Sequence, residues 1–294
     1  MNKYTKIIGE NGEMIKMKKF LIFISLILAA TFIFTACGAS SESQSAASGS
    51  SAAAGSSSPS TKQGILKVGI DPTYPPMEYK DDAGENVGYD IEVAKALGEK
   101  LGMKVEFVPV AWTAIFSALK AEKYDTIISS LSITEDRKKT LAYTRPYIAN
   151  NQVIIVKKDS TGIKSEKDLK DKRVCVQMGT TSDDACKEFQ KTIPFKGYKQ
   201  YEKMTEALNE LKIGRVDALV ADVVVAKYFV AKDPESYMIV NTTLPNEPIG
   251  AAVRKENTEL AQKLDKAMEE IMNDGTLKKI SEKWFGEDMT SNIK

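Results

Sequence analysis

The chain is 294 residues long, with 43% hydrophobic and 28% charged side chains, which suits a folded protein with one large core or two smaller ones and excludes a fibrous or wholly disordered chain. Its 41 basic and 40 acidic side chains leave a net charge of +1, without the basic excess that nucleic-acid binding requires. There is no histidine, which excludes a histidine-based catalytic triad and the usual histidine-rich zinc sites.

In chain order, Lys18-Lys19 followed by the apolar run from Phe20 to Ala30 has the n-region and h-region of an export signal. The run leads to Phe34-Thr35-Ala36-Cys37-Gly38, which resembles a bacterial lipobox, with Phe34 where leucine is usual. Cleavage there makes Cys37 the lipid-bearing N-terminus. The alternative is a plain transmembrane anchor, since the run is nearly long enough to span a bilayer. The small residue before Cys37 and the polar stretch after it favour the lipoprotein. Residues 1–16 are polar, with Glu10 and Glu13, unlike a signal peptide, so translation is expected to start at Met17. Removing the signal, residues 1–36, takes away five lysines and two glutamates and leaves 36 basic against 38 acidic side chains, a net charge of −2. Residues 37–63, the lipidated cysteine and a Ser/Ala/Gly-rich stretch, read as a disordered tether to the outer face of the cell membrane.

The body then alternates strands and helices. Ile65 to Ile70 is a strand, and Ile91, Ala94, Leu97 and Leu101 form one face of a helix starting near Tyr89-Asp90. Strand Val105–Val108, a helix around Ile115 to Leu119 and strand Asp125–Ile128 follow. Further on come a helix at 165–171, strand 173–178, helices 183–191 and 205–213, strand Ala218–Ala221 and helix 223–231. Helix 257–273, with Leu260, Leu264 and Met268 at spacing four, and the closing helix, where Leu277, Ile280 and Trp284 share a face, read as structural. This order implies α/β layers with mainly parallel sheets. Cys175 falls in a strand and Cys186 in the next helix, which leaves a disulfide between them open.

In such sheets ligands sit beyond the carboxyl ends of the strands. That rule selects Asp71, the segment Ser129 to Arg137, Gly179-Thr180-Thr181 and Asp222. Within the second of these, Thr134 is a good N-cap with Glu135 and Asp136 in the first helical turn. Arg137 follows, a fork suited to a carboxylate, with Ser130 and Ser132 available to complete its shell.

From about residue 64 to 286 the chain resembles the polar amino-acid family of bacterial extracellular solute-binding proteins, which deliver ligands to ABC importers. The resemblance rests on ordered motifs: G-I-D-P-T-Y-P-P-M-E-Y, G-Y-D-I-E-V-A-K-A-L, L-S-I-T-E-D-R, Q-M-G-T-T, G-R-V-D-A-L-V-A-D and D-G-T-L-K-K-I-S-E-K-W-F-G. It implies an α/β fold of two lobes joined by two crossover hinge strands, with the ligand in the cleft between them. Lobe one would be 64–149 plus 246–288, lobe two 150–245, and 289–294 a tail. It also implies a monomer that needs no cofactor or metal and partners a membrane permease.

By the same resemblance Arg137 clamps the ligand α-carboxylate, helped by Ser132 and Thr181. Asp222 receives the α-ammonium with Ser130 nearby, and Tyr74 and Trp112 flank the ligand side chain. The alternatives are a helix cap for Asp222 and core packing for Tyr74 and Trp112. Asp71 and the Ser129-Ser130 pair match binders of basic amino acids (arginine, lysine, ornithine or histidine). Gln177, at a variable position, instead suits a polar neutral ligand such as glutamine or cystine. Two other classes share the fold: secreted lyases or dehydratases, for which Glu78 and Asp183 are the extra acids, neither with a sequence partner that would raise its pKa, and sensor modules.

Overall fold

The computed structural model describes residues 64–291 and 293. The expected signal, the lipidated Cys37 and the tether lie outside the described residues. From the start of the body, β1 (Ile65–Ile70) buries Leu66, Val68 and Ile70. Three short strands, β2 (Thr73–Tyr74), β3 (Glu78–Lys80) and β4 (Asn86–Val87), form a small antiparallel sheet. Helix α1 (Tyr89–Leu101) buries Ile91, Val93, Ala94 and Leu97, and stops where Gly102 adopts a left-handed φ of 64°. Then come β5 (Lys104–Pro109), a 3-10 turn at Trp112–Ala114, α2 (Ile115–Lys120), β6 (Thr126–Ile127), the four-residue α3 (Glu135–Lys138) and β7 (Leu141–Tyr143).

The chain next enters a second sheet through β8 (Asn151–Lys157), continues through β9 (Arg173–Gln177), α4 (Thr181–Gln190), β10 (Gly197–Tyr201), α5 (Met204–Lys212), β11 (Ala218–Asp222) and α6 (Val223–Lys232), and leaves through β12 (Tyr237–Asn246). Strand β13 (Ala252–Arg254) returns to the first sheet, followed by α7 (Thr258–Asn273) and α8 (Thr276–Phe285), which pack on α1.

The first sheet runs β5-β1-β6-β13-β7 and the second β10-β9-β11-β8-β12. Each has three parallel neighbours followed by two antiparallel pairings, so the expectation of mainly parallel sheets is corrected. The reason is topological: β13 and β8, the strands by which the chain enters each sheet from the other, run against the remaining four strands of their sheet. Two α/β lobes result, with the passages between β7 and β8 and between β12 and β13. All described elements belong to one compact unit.

Two further corrections concern local structure. The helix expected at 165–171 is a 3-10 turn, Glu166–Leu169, held by a capping box between Ser165 and Asp168. The disulfide left open between Cys175 and Cys186 is not formed, and both thiols are free and buried. Strand alternation is the cause: Val174 and Val176 face the cluster that holds Cys186, while Cys175 faces the opposite side, its Sγ 3.9 Å from the Ala207 carbonyl of α5. Burial raises both thiol pKa values, so neither is primed as a thiolate. Met289 of the expected tail is tied down, its N–H donating to Ser281 Oγ (2.8 Å) and its carbonyl accepting from Ala149 N (3.3 Å). Among the described residues no helix is long and apolar enough to cross a membrane.

Candidate ligand-binding site

The carboxyl ends of β1 and β6 in one lobe meet those of β9 and β11 in the other around a pocket with about 300 Å³ of empty volume. Asp71, Tyr74, Trp112, Ser129, Ser130, Ser132, Arg137, Gln177, Thr181 and Asp222 all line it, so the structure brings together every sequence-selected ligand residue. Glu78 and Thr180 complete the wall.

Arg137 stands on α3, whose first turn is organised by Thr134 Oγ1 accepting from Arg137 N. Its Nη1 donates to the Ser132 carbonyl at 3.1 Å, and its guanidinium lies 5.7 Å and 5.4 Å from the ring centres of Trp112 and Phe116. The two rings stand 5.9 Å apart at 73° to each other, and the guanidinium packs into the corner they form. Across the pocket, Thr181 opens α4, where backbone N–H groups favour an anion. This end therefore suits a carboxylate.

Asp222 ends β11 at the N-terminus of α6, yet its side chain makes no capping bond. Instead Oδ2 accepts from Tyr74 OH at 2.6 Å, and Oδ1 accepts from Asn150 Nδ2 (2.6 Å) and Gln152 Nε2 (2.7 Å). Burial pushes the Asp222 pKa up, while these donors and the field of Arg137 pull against that rise. Gln152, fully buried on β8, shares its two amide hydrogens among Asp222, Thr181 Oγ1 (3.0 Å) and Glu247 Oε2 (3.2 Å), and its Oε1 accepts from Ser182. One amide thus braces both ends of the site.

At the third corner Asp71 is 3% exposed, accepting from Thr73 Oγ1 and Gln177 Nε2, both at 2.8 Å. Burial raises its pKa, while Thr73, Gln177 and the charge of Lys203 oppose the rise. Gln177 Nε2 also donates to the Glu202 carbonyl at 3.0 Å, so both amide hydrogens are spent on the protein. Trp112 Nε1 donates to the Gly179 carbonyl at 2.9 Å. With Tyr74 on Asp222 and Gln177 on Asp71, this gives three hydrogen bonds between pocket-wall residues of opposite lobes, besides Gln152 to Glu247 and Lys227 to Glu287 (2.7 Å), which also cross.

The two extra acids separate. Asp183 lies behind the wall, held by Tyr198 OH (2.6 Å), Gln200 Nε2 (2.7 Å), Gly179 N (2.8 Å) and Lys187 (3.1 Å). Glu78 lines the pocket and has a partner after all: the neighbouring Asp90 carboxylate, together with burial, raises its pKa well above the ordinary range. Sequence reasoning did not see that partnership, or the bracing by Gln152 and Asn150. Glu78 carried a signal in the M-E-Y of its motif, whereas Gln152 sits in a strand interior with no mark beyond being polar among apolar neighbours. Among the described residues no group of three or more His, Cys, Asp and Glu is placed to hold a metal ion.

An anion corner, a cation corner on the facing lobe and a third, acidic corner, enclosed at the carboxyl ends of two sheets, define a two-lobed receptor for a small charged solute. Residues 66–287 match the bacterial extracellular solute-binding proteins, family 3, and the chain belongs to that family. It is 34% identical over 273 residues to the arginine-binding extracellular protein ArtP of Bacillus subtilis (strain 168), covering 92% of this chain and 98% of that one. To the L-cystine-binding protein TcyJ of Escherichia coli (strain K12) it is 31% identical over 230 residues, covering 78% and 85%. An ancestral arginine-binding protein solved with arginine superposes with a TM-score of 0.72 at 46% identity, covering 76% of this chain and 99% of that one. The ancestor solved with glutamine gives 0.71, with the same identity and coverage.

Proposed function

We propose that this protein captures a free amino acid outside the cytoplasm by hinge closure and delivers it to the membrane permease of an ABC importer. The observation that carries the reading is the placement of Arg137 and Asp222 on opposite lobes around one pocket. A zwitterion satisfies both and thereby stabilises the closed form. In this reading Arg137, Ser132 and Thr181 take the α-carboxylate, Asp222 and Ser130 the α-ammonium, and Tyr74 and Trp112 flank the side chain. The lobes are assigned as 64–149 plus 246–288 and 150–245, with 289–294 as the tail, in keeping with β8 starting at Asn151 and β12 ending at Asn246.

The preferred ligand is a basic amino acid. Acids outnumber cations three to one in the wall, with Asp71, Glu78 and Asp222 against Arg137. Gln177 is already committed to Asp71, which weighs against its reading a glutamine or cystine side chain. The arginine-binding relatives support the same choice, while the cystine relative keeps the neutral alternative in play. The role is that of a carrier rather than an enzyme, acting as a monomer. The signal over 1–36, lipidation at Cys37 and the tether to residue 63 complete the picture of a membrane-anchored lipoprotein.

A thermal-shift screen of the purified chain against the common amino acids, ornithine and cystine tests this. A ligand at a hundredfold excess over its dissociation constant stabilises by about 2.7 kcal/mol. Arginine, lysine, ornithine or histidine is expected to shift the melting temperature, and Arg137→Ala to abolish the shift. If Asp71→Asn leaves affinity for the basic ligand intact, the preference for a cation fails; a shift with no amino acid overturns the carrier role.

A further inference from the structure

Glu78 and Asp90 lie together under the pocket floor, 1% and 0% exposed. Asp90 is well supplied with donors: Oδ2 accepts from Ser130 N (2.6 Å) and Ser130 Oγ (3.1 Å), and Oδ1 accepts from Tyr147 OH (2.9 Å). Glu78 is not. Its Oε1 accepts from Ser129 Oγ, but its buried Oε2 has no donor partner. Two carboxylates side by side in a dry site cannot both stay ionised, and an oxygen without a donor is satisfied if its own carboxyl holds a proton and gives it to the neighbour. The assignment that leaves no buried charge unpaired is Asp90 ionised, Glu78 protonated and one proton shared between them.

The pair is joined to the ligand's surroundings through hydroxyls. Ser129 Oγ donates to Glu78 and accepts from Asp71 N at 3.0 Å, and Ser130, held at a left-handed φ of 46°, turns both its N–H and its hydroxyl onto Asp90. Glu78 itself forms part of the wall. The other ionisable groups facing the pair are Asp71 at the end of β1, Tyr74 on β2, Tyr89 on α1 and Tyr147 before β8. Lys203 acts on Asp71 from the second lobe, and Arg137 sits at the opposite end of the pocket. Among the described residues no cation contacts the pair itself.

We propose that Glu78 and Asp90 are a one-proton switch beneath the site, and that capture of an amino acid with a cationic side chain expels their shared proton. The Glu78 O–H bond breaks, the proton passes to solvent, and the carboxylate left behind faces the incoming positive charge. A neutral side chain supplies no such charge and leaves the proton in place. The inference rests on the basic-ligand reading above and deepens it: affinity for a cationic ligand rises with pH, by up to about tenfold per pH unit for one proton released.

Calorimetry of the full chain in detergent tests it, with arginine and its uncharged isostere citrulline titrated at pH 7 in buffers of different ionisation enthalpy. Arginine is expected to release a proton in the wild type, seen as a buffer-dependent heat, while citrulline at saturation releases none. Glu78→Gln is expected to bind arginine with a buffer-independent heat. Infrared difference spectra of the wild type give a readout that needs no variant: arginine should remove a protonated-carboxyl band and citrulline should not. Buffer-independent arginine binding in the wild type, an unchanged carboxyl band, or release that survives Glu78→Gln overturns the switch while leaving the carrier role standing. Binding of a neutral or acidic amino acid but of no basic one removes the basic-ligand reading and the switch with it, and binding of none removes the carrier role too.

Discussion

Asp183 is 1% exposed and ionised, and its setting determines when it matters. Burial alone would raise its pKa, but Tyr198, the Gly179 N–H, Lys187 and Gln200 together hold it below the ordinary carboxylate value. The lowered folded-state value means that Asp183 contributes stability above the unfolded pKa and loses it as pH falls through the folded one. Asp183→Asn should therefore cost about 1–3 kcal/mol near neutral pH, with the gap to wild type closing below about pH 4 in thermal unfolding. At this scale the sequence was informative where chemistry follows directly on a strand. Asp71, Ser129, Ser130, Gln177 and Asp222 each stand at or just beyond a strand's carboxyl end, and each lines the pocket. It was silent on Gln152, because nothing local distinguishes a brace from a chance polar residue in a strand. It was also silent on the Glu78–Asp90 pairing, which needs β3 and α1 folded against each other.

The longer helices were legible because their apolar periodicity reports burial directly, whereas the two longest strands, β8 and β12, were not picked out. Helices α1, α5, α6 and α7 lie within one or two residues of the expected limits. The failures have physical causes. Strands β2 to β4 are two or three residues long, too short for alternation to register. Strand β10, Gly197-Tyr198-Lys199-Gln200-Tyr201, is a half-exposed edge without a fully buried side chain, so it carries no apolar stripe. The small sheet and α1 meet at Gly88, whose φ is 138° and where an added Cβ would sit 2.1 Å from the Met77 carbonyl oxygen. Backbone cannot yield there as a flexible side chain can. Gly88→Ala should lose at least about 2 kcal/mol in urea unfolding, whereas Gly84→Ala, at φ 81° with nothing within 4 Å, should lose about 1 kcal/mol of backbone strain alone.

For the molecule as a whole, the three cross-lobe bonds at the pocket wall are made by protein groups and so add to whatever the ligand contributes to closure. Trp112→Phe keeps an aromatic ring beside Arg137 but removes the donor to Gly179. At about 0.5–1.5 kcal/mol for one such bond, affinity should fall about two- to tenfold, mainly through faster dissociation in stopped-flow experiments. Small-angle scattering at saturating ligand should still reach the compact form, since the population shifts without the closed state itself changing.

The passage from β7 into β8 has a consequence of another kind. Asn150, just ahead of the strand that enters the second lobe, and Gln152 on that strand both hold Asp222. Pivot and jaw are thus cut from one piece of chain. Any substitution that alters how far the lobes swing there also moves the carboxylate that grips the ligand, so reach and grip cannot be tuned independently from this side. The return passage, which carries Glu247 toward Gln152 but no wall residue, is where drift in sequence can reset the swing with less effect on the grip.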